Sequence, residues 1–105
     1  MQLARVKGTV VSTNKAETLL GMKLLLVKPI DIETWEERGD VLVAIDAVGA
    51  GEGEVVMVVS GSSSRQTEVT ANRPTDLTIA AIVDTVDVEG RRVFEKFVKE
   101  TGETR

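Results

Sequence analysis

The sequence predicts a mostly β domain in which five main strands close into a small barrel. A short helix is expected in the connection before the last main strand. Three observations carry this reading. Val supplies 17 of the 105 residues, Thr 11 and Ile 5, and branching at Cβ stiffens χ1 and suits a pleated surface. The apolar runs are short: the longest, Val41–Ile45, Val55–Val59 and Ile79–Val83, are five residues each. Strands this rich in Val would expose sticky edges unless the sheet closed on itself. A chain of this length fits one domain. Residues 1–90 are expected to form the barrel, and 91–105 a short strand or amphipathic helix with a frayed end.

Gln2–Thr13 (QLARVKGTVVST) reads as the first strand, with Arg5 and Lys7 on one side of a period-2 pattern and Gly8 marking a bulge or a close backbone approach. Asn14–Gly21 is a loop. Met22–Ile30 (MKLLLVKPI) is the second strand; its continuous Leu24–Val27 centre predicts burial on both faces or a place at a subunit contact. Pro29 cannot donate to a ladder, so the strand ends or runs along an edge there. Asp31–Asp40 is a charged loop with one helical turn. Within it Trp35 is read as a ring covering part of the loop, with a partner contact as the alternative. Val41–Val48 is the third strand, broken by Asp46. Gly49–Glu54 is a Gly-rich turn, Val55–Ser60 the fourth strand and Gly61–Asp76 a long polar connection. Leu77–Val88 is the fifth strand, after which Glu89-Gly90 can reverse the chain. Val93, Phe94, Phe97 and Val98 match one face of a helix, while Val88–Val93 around Glu89-Gly90 match a hairpin with a short sixth strand.

Composition removes whole classes of function. There is no His, Cys or Tyr, hence no imidazole base, no Ser-His-Asp triad, no thiol nucleophile, no disulfide and no zinc cluster. The net charge of −4 and only three aromatic residues argue against a nucleic-acid groove, which needs clustered cations or stacking platforms. A membrane span needs about 20 apolar residues, far beyond the runs present. The opening MQLARVKGTVV lacks the apolar core of a signal peptide, so the expected location is the cytoplasm.

Three motifs suggest chemistry. Gly49-Ala50-Gly51-Glu52-Gly53 resembles a phosphate-binding loop, but a strand follows it where a helix would be needed, and no Lys follows. A tight turn is expected instead. Three glycines in five residues exceed what one turn requires, so close packing of backbone near a symmetry axis is the sharper alternative. Asp46 with Glu52 and Glu54 lacks the spacing of a hard-cation loop; Asp46 is expected to hydrogen-bond loop amides at the strand end. Ser60–Arg65 (SGSSSR) lacks a nucleophile elbow and a base. It suits a helix N-terminus near Ser62, with the Arg65 guanidinium pairing a carboxylate or an interface.

The order and spacing of four blocks then resemble the EutN/CcmL family, the pentameric vertex proteins of bacterial microcompartment shells and carboxysomes. The blocks are MQLARVKGTVVSTNK, GMKLLLVKPID, AIDAVGAGEGEVVMVVSGSSSR at Ala44–Arg65, and RPTDLTIAAIVDTVDV. Ser64 stands where Ala is common and Ala81 where Gly is usual. The Ile32–Arg38 loop and the tail after Val93 are individual to this chain. The resemblance implies an OB-like five-stranded barrel, a homopentamer at the five-fold corners of a shell otherwise tiled by hexameric shell proteins, a pore on the five-fold axis, and neither catalysis nor cofactor. Its place would be a microcompartment shell in the cytoplasm, without nucleic-acid or membrane partners.

Small residues crowd best around an axis. The expected pore neighbourhood is therefore Gly49, Ala50, Gly51, Glu52 and Gly53, with Gly61, Ser62 and Ser63. The expected subunit interface includes Asp46, Ser64, Arg65 and Asp76. The alternatives are an OB-fold binding module for nucleic acid or oligosaccharide, which needs a basic or aromatic face, and a small enzyme using carboxylates such as Asp46 and Asp76.

Overall fold

A computed structural model describes residues 1–11, 22–60, 77–96, 99–100 and 103–104. The Asn14–Gly21 loop and the whole Gly61–Asp76 connection, with the helical turn expected near Ser62, lie outside the described residues. Every regular element described is a strand. β1 (Gln2–Val10), β2 (Lys23–Pro29), β3 (Leu42–Asp46), β4 (Val55–Ser60) and β5 (Leu77–Ile82) form a closed barrel in the order β1-β2-β3-β5-β4. All neighbours are antiparallel except β3 and β5, whose parallel pairing at Ile45↔Thr78 and Asp46↔Ile79 completes the ring of strands. This is the OB-like barrel that the sequence predicts.

The lumen is filled from alternate positions. Val6, Leu25, Val27, Val56, Val58 and Ile79 are almost wholly buried in one cluster. Their side chains fill the narrow lumen, and those branched at Cβ have few rotamers to lose on burial. In β1 the register slips between Val6 and Gly8 against β2, so Lys7 is the bulged residue and Gly8 follows it.

The expected fifth strand is two elements. β5 stops at Ile82, and β6 (Thr85–Val88) leaves the barrel to pair with β7 (Arg91–Glu95) across a turn at Glu89-Gly90. The break falls where Val83 N–H donates to Val55 O, a last barrel bond at 2.9 Å, and where Asp84 O accepts from Lys96 N–H at the hairpin base. An alternating apolar pattern reads the same whether a strand stays in one sheet or moves to the next, so this break is not visible in the pattern. Two-residue strands β8 (Lys99–Glu100) and β9 (Glu103–Thr104) pair near the C-terminus.

A second apolar cluster joins the hairpin to the barrel. Leu3, Ile30 and Val55 are its buried centre, and Trp35, Val86 and Phe94 pack onto them. The Trp35 and Phe94 rings stack with centroids 5.3 Å apart and planes at 22°. Asp31 builds the loop that presents Trp35. Its carboxylate accepts the Glu33 and Thr34 amides at 2.9 and 3.1 Å, and its carbonyl accepts the Trp35 amide at 2.7 Å, one helical turn as expected. Trp35 ends that turn at φ +59°, a conformation that a bulky residue adopts only when its surroundings over-determine it. The ring stack supplies that constraint.

Candidate functional site

The Gly-rich turn between β3 and β4 is held by a carboxylate at each end. At its start, Asp46 Oδ1 accepts the Val48 and Gly49 amides at 3.0 Å each, and Oδ2 accepts the Ala50 amide at 2.9 Å. The Asp46 side chain is only 1% exposed, and Lys23 Nζ lies 3.7 Å from Oδ2 while donating to Ala50 O at 3.1 Å. A buried carboxylate is tolerated when amides and a cation satisfy it in this way. The strand-end role expected of Asp46 is the one the structure shows.

At the other end, Glu54 Oε1 accepts the Gly51 amide at 2.6 Å, and Lys96 Nζ donates to Oε2 at 2.5 Å. The Lys96 ammonium first, and then the Gly51 amide, hold the Glu54 carboxyl below its ordinary value of 4.5, against the opposing effect of burial. Asp46 and Glu54 therefore spend their oxygens on the turn and on two lysines. Among the described residues no group of three acidic, His or Cys side chains is placed to hold a metal ion.

The predicted turn residues separate into distinct roles. Ala50 is buried in the barrel's own core cluster, while Gly49, Glu52 and Gly53 form the exposed surface. Gly49 and Gly53 have φ of +82° and +89°, which side chains other than Gly rarely adopt. Gly51 does not. A Cβ there would meet nothing closer than Glu54 Oε1 at 3.6 Å, an ordinary contact. Two of the three glycines are thus required by the turn itself, and the third is not. Gly61, Ser62, Ser63, Ser64, Arg65 and Asp76 lie outside the described residues.

Around the turn, β1 contributes cations that the sequence pairs with nothing nearby. Arg5 NH1 donates to Gly53 O at 2.9 Å, and its Nε lies 3.4 Å from Glu37 Oε2. Lys7 Nζ donates to Glu37 Oε1 at 2.9 Å. Lys7's hydrogen bond is the main cause holding the Glu37 carboxyl below its ordinary value, and the Lys7, Arg5 and Lys28 charges add to it. Lys96 and Glu37 were not singled out from the sequence, because their partners stand 42 and about 30 residues away.

The family model described as ethanolamine utilisation protein EutN/carboxysome matches residues 1–84. The chain belongs to the EutN/CcmL family. The carboxysome shell vertex protein CcmL of Synechococcus elongatus is 44% identical over 96 residues, spanning 91% of this chain and 96% of that protein. The solved structure of Gloeobacter violaceus CcmL superposes with a TM-score of 0.86 at 42% identity, covering 91% of this chain and 98% of that one. A pentameric microcompartment shell protein from Rhodospirillum rubrum, GrpN, superposes with a TM-score of 0.75 at 45% identity, covering 84% and 99%. Within this EutN/CcmL protein the barrel and its Gly-rich turn lie in the matched residues, and the hairpin β6–β7 begins just past them.

Proposed function

We propose that this EutN/CcmL protein is a structural component of a bacterial microcompartment shell. Five copies form a ring, and the ring caps a five-fold vertex of a shell whose facets are built by hexameric shell proteins. The observation that carries this reading is the 45% identity, over 84% of this chain, to a solved pentameric microcompartment shell protein with the same barrel. Physical reasoning supports it. A flat hexagonal layer needs five-fold points to close, and a head-to-tail contact whose rotation closes makes a ring.

The outer face of β2 and β3 is suited to that contact. Val43 is 51% exposed and sits directly across from Leu26 in register, with Val41 47% exposed beside it. A contiguous apolar strip on a water-facing sheet is what an interface core requires. The exposed Gly49, Glu52 and Gly53 form the pore neighbourhood, with Gly61, Ser62 and Ser63 beside them in the proposal. Asp46 acts on the ring by fixing the turn's shape from beneath, and Ser64, Arg65 and Asp76 complete the contact. The role is one of shape and closure, with no catalytic step.

Native mass spectrometry tests the ring: a species of five times 11.3 kDa is expected. A stable monomer at micromolar concentration would overturn it. Mixing with a hexameric shell protein tests the vertex role by electron microscopy. Closed particles are expected with this chain present, and unchanged sheets or tubes would refute that part.

A further inference from the structure

Glu54 is shared by two elements. One of its oxygens holds the Gly51 amide of the turn, and the other is bonded to Lys96, one residue past β7 and 42 residues away. Lys96 is itself fixed, because its amide donates to Asp84 O at 2.8 Å and closes the base of the hairpin. Between the hairpin and the turn lies a cleft of about 340 Å³, walled by Phe94 on one side and by Arg5 and the 52–55 segment on the other. The Lys96–Glu54 bridge spans that gap.

We propose that Lys96 is a positioning residue for the Gly49–Gly53 turn and acts through Glu54, so that the C-terminal hairpin sets the conformation of the turn. A glutamate side chain has three rotatable bonds, and in an open cleft its carboxylate would be free to swing toward water. A charge-assisted bond to a fixed ammonium selects the rotamer whose other oxygen meets the Gly51 amide. The two ends of the turn therefore differ in kind. Asp46 is locked by the barrel that carries it, whereas Glu54, whose backbone is bonded to Val6 of β1, depends for the rotamer of its carboxylate on an element outside the barrel. Among the described residues, the other charges near Glu54 are Lys23 from β2, acting at longer range, Arg5 from β1, which is bonded to Gly53 O, and Glu52, which lines the same cleft. Neither replaces Lys96 at Oε2. The positioning stands on the chain's own geometry, and its consequence for a five-fold axis rests on the ring reading.

Amide hydrogen exchange followed by NMR on the full chain tests this. Lys96→Met should speed exchange at Gly51 by about tenfold, the equivalent of one lost bond to a charged group. The Gly49 and Ala50 amides, held by Asp46, should be unaffected. Lys96→Arg should restore protection at Gly51. In a Glu54→Gln background, Lys96→Met should add little. Unchanged exchange at Gly51, equal acceleration in the Glu54→Gln background, or acceleration at all three amides together would each overturn the inference. So would a shift in Trp35 emission in Lys96→Met, because it would show the whole hairpin undocking. Native mass is read in parallel. A monomeric wild type with accelerated Gly51 exchange in Lys96→Met refutes the ring alone, and an intact ring with unchanged Gly51 refutes the positioning alone.

Discussion

Asp46 shows how one side chain can define a loop. It satisfies three consecutive-region amides from a buried position, and Lys23 balances its charge. Asp46→Ala would leave the buried Ala50 amide without its acceptor, a loss of about 3 kcal/mol given the usual cost of orphaned groups bonded to charge; urea unfolding at neutral pH measures it. A strand-end Asp before a Gly-rich turn is a local signal, so this role was legible from residue types alone. The glycines divide differently. Gly49→Ala and Gly53→Ala place a Cβ on a left-handed backbone and should each cost about 1 kcal/mol. Gly51→Ala has room and an ordinary φ, so monomer stability should stay within about 0.5 kcal/mol. If Gly51 meets a neighbouring copy, the same substitution should weaken the ring on native mass spectra. Thermal unfolding and assembly, measured on all three variants, separate the two demands.

The elements are tied together by ion pairs that cross from one to another. Glu37 of the loop after β2 holds Lys7 and lies beside Arg5 of β1, and Glu54 joins the turn to the end of β7. Both carboxyls sit below their ordinary value of 4.5 in the folded chain, and the Thr34 and Glu33 amides hold Asp31 below 3.8. The unfolded chain therefore binds protons more readily. The stabilisation from these groups is full above the unfolded values near 4, and is lost as pH falls through the depressed folded ones. Unfolding midpoints in urea should hold steady from pH 7 to about 5 and drop below about 4. A midpoint constant down to pH 3 would refute this account. Strand identity was readable here from β-branched runs, but the split between β5 and β6 was not. Nor were the partners of Lys7 and Lys96, because nothing local marks a pairing across tens of residues.

The whole molecule presents Val41 and Val43 to water at β3, beside the half-buried Leu26 of β2, while its lumen is already filled. Val43→Glu should leave monomer stability within about 0.5 kcal/mol, as at other surface sites, yet convert a five-fold ring to monomers on native mass spectra. An intact ring in that variant would place the contact on another face. The Val content by itself determined the class of fold: branched side chains in short runs favour strands, and strands of that kind need closure. The absence of imidazole and thiol likewise fixed what chemistry was closed to the chain, since side-chain inventory does not depend on folding. The spacing of blocks, compared with a known family, pointed to a shell vertex. Only the tertiary structure decided which valines face the lumen and which face outward, because a register slip at one bulge or a strand that changes sheet reverses the assignment. It alone placed Lys96 on Glu54, because contact between residues distant in sequence is set by how the barrel closes and where the hairpin lands.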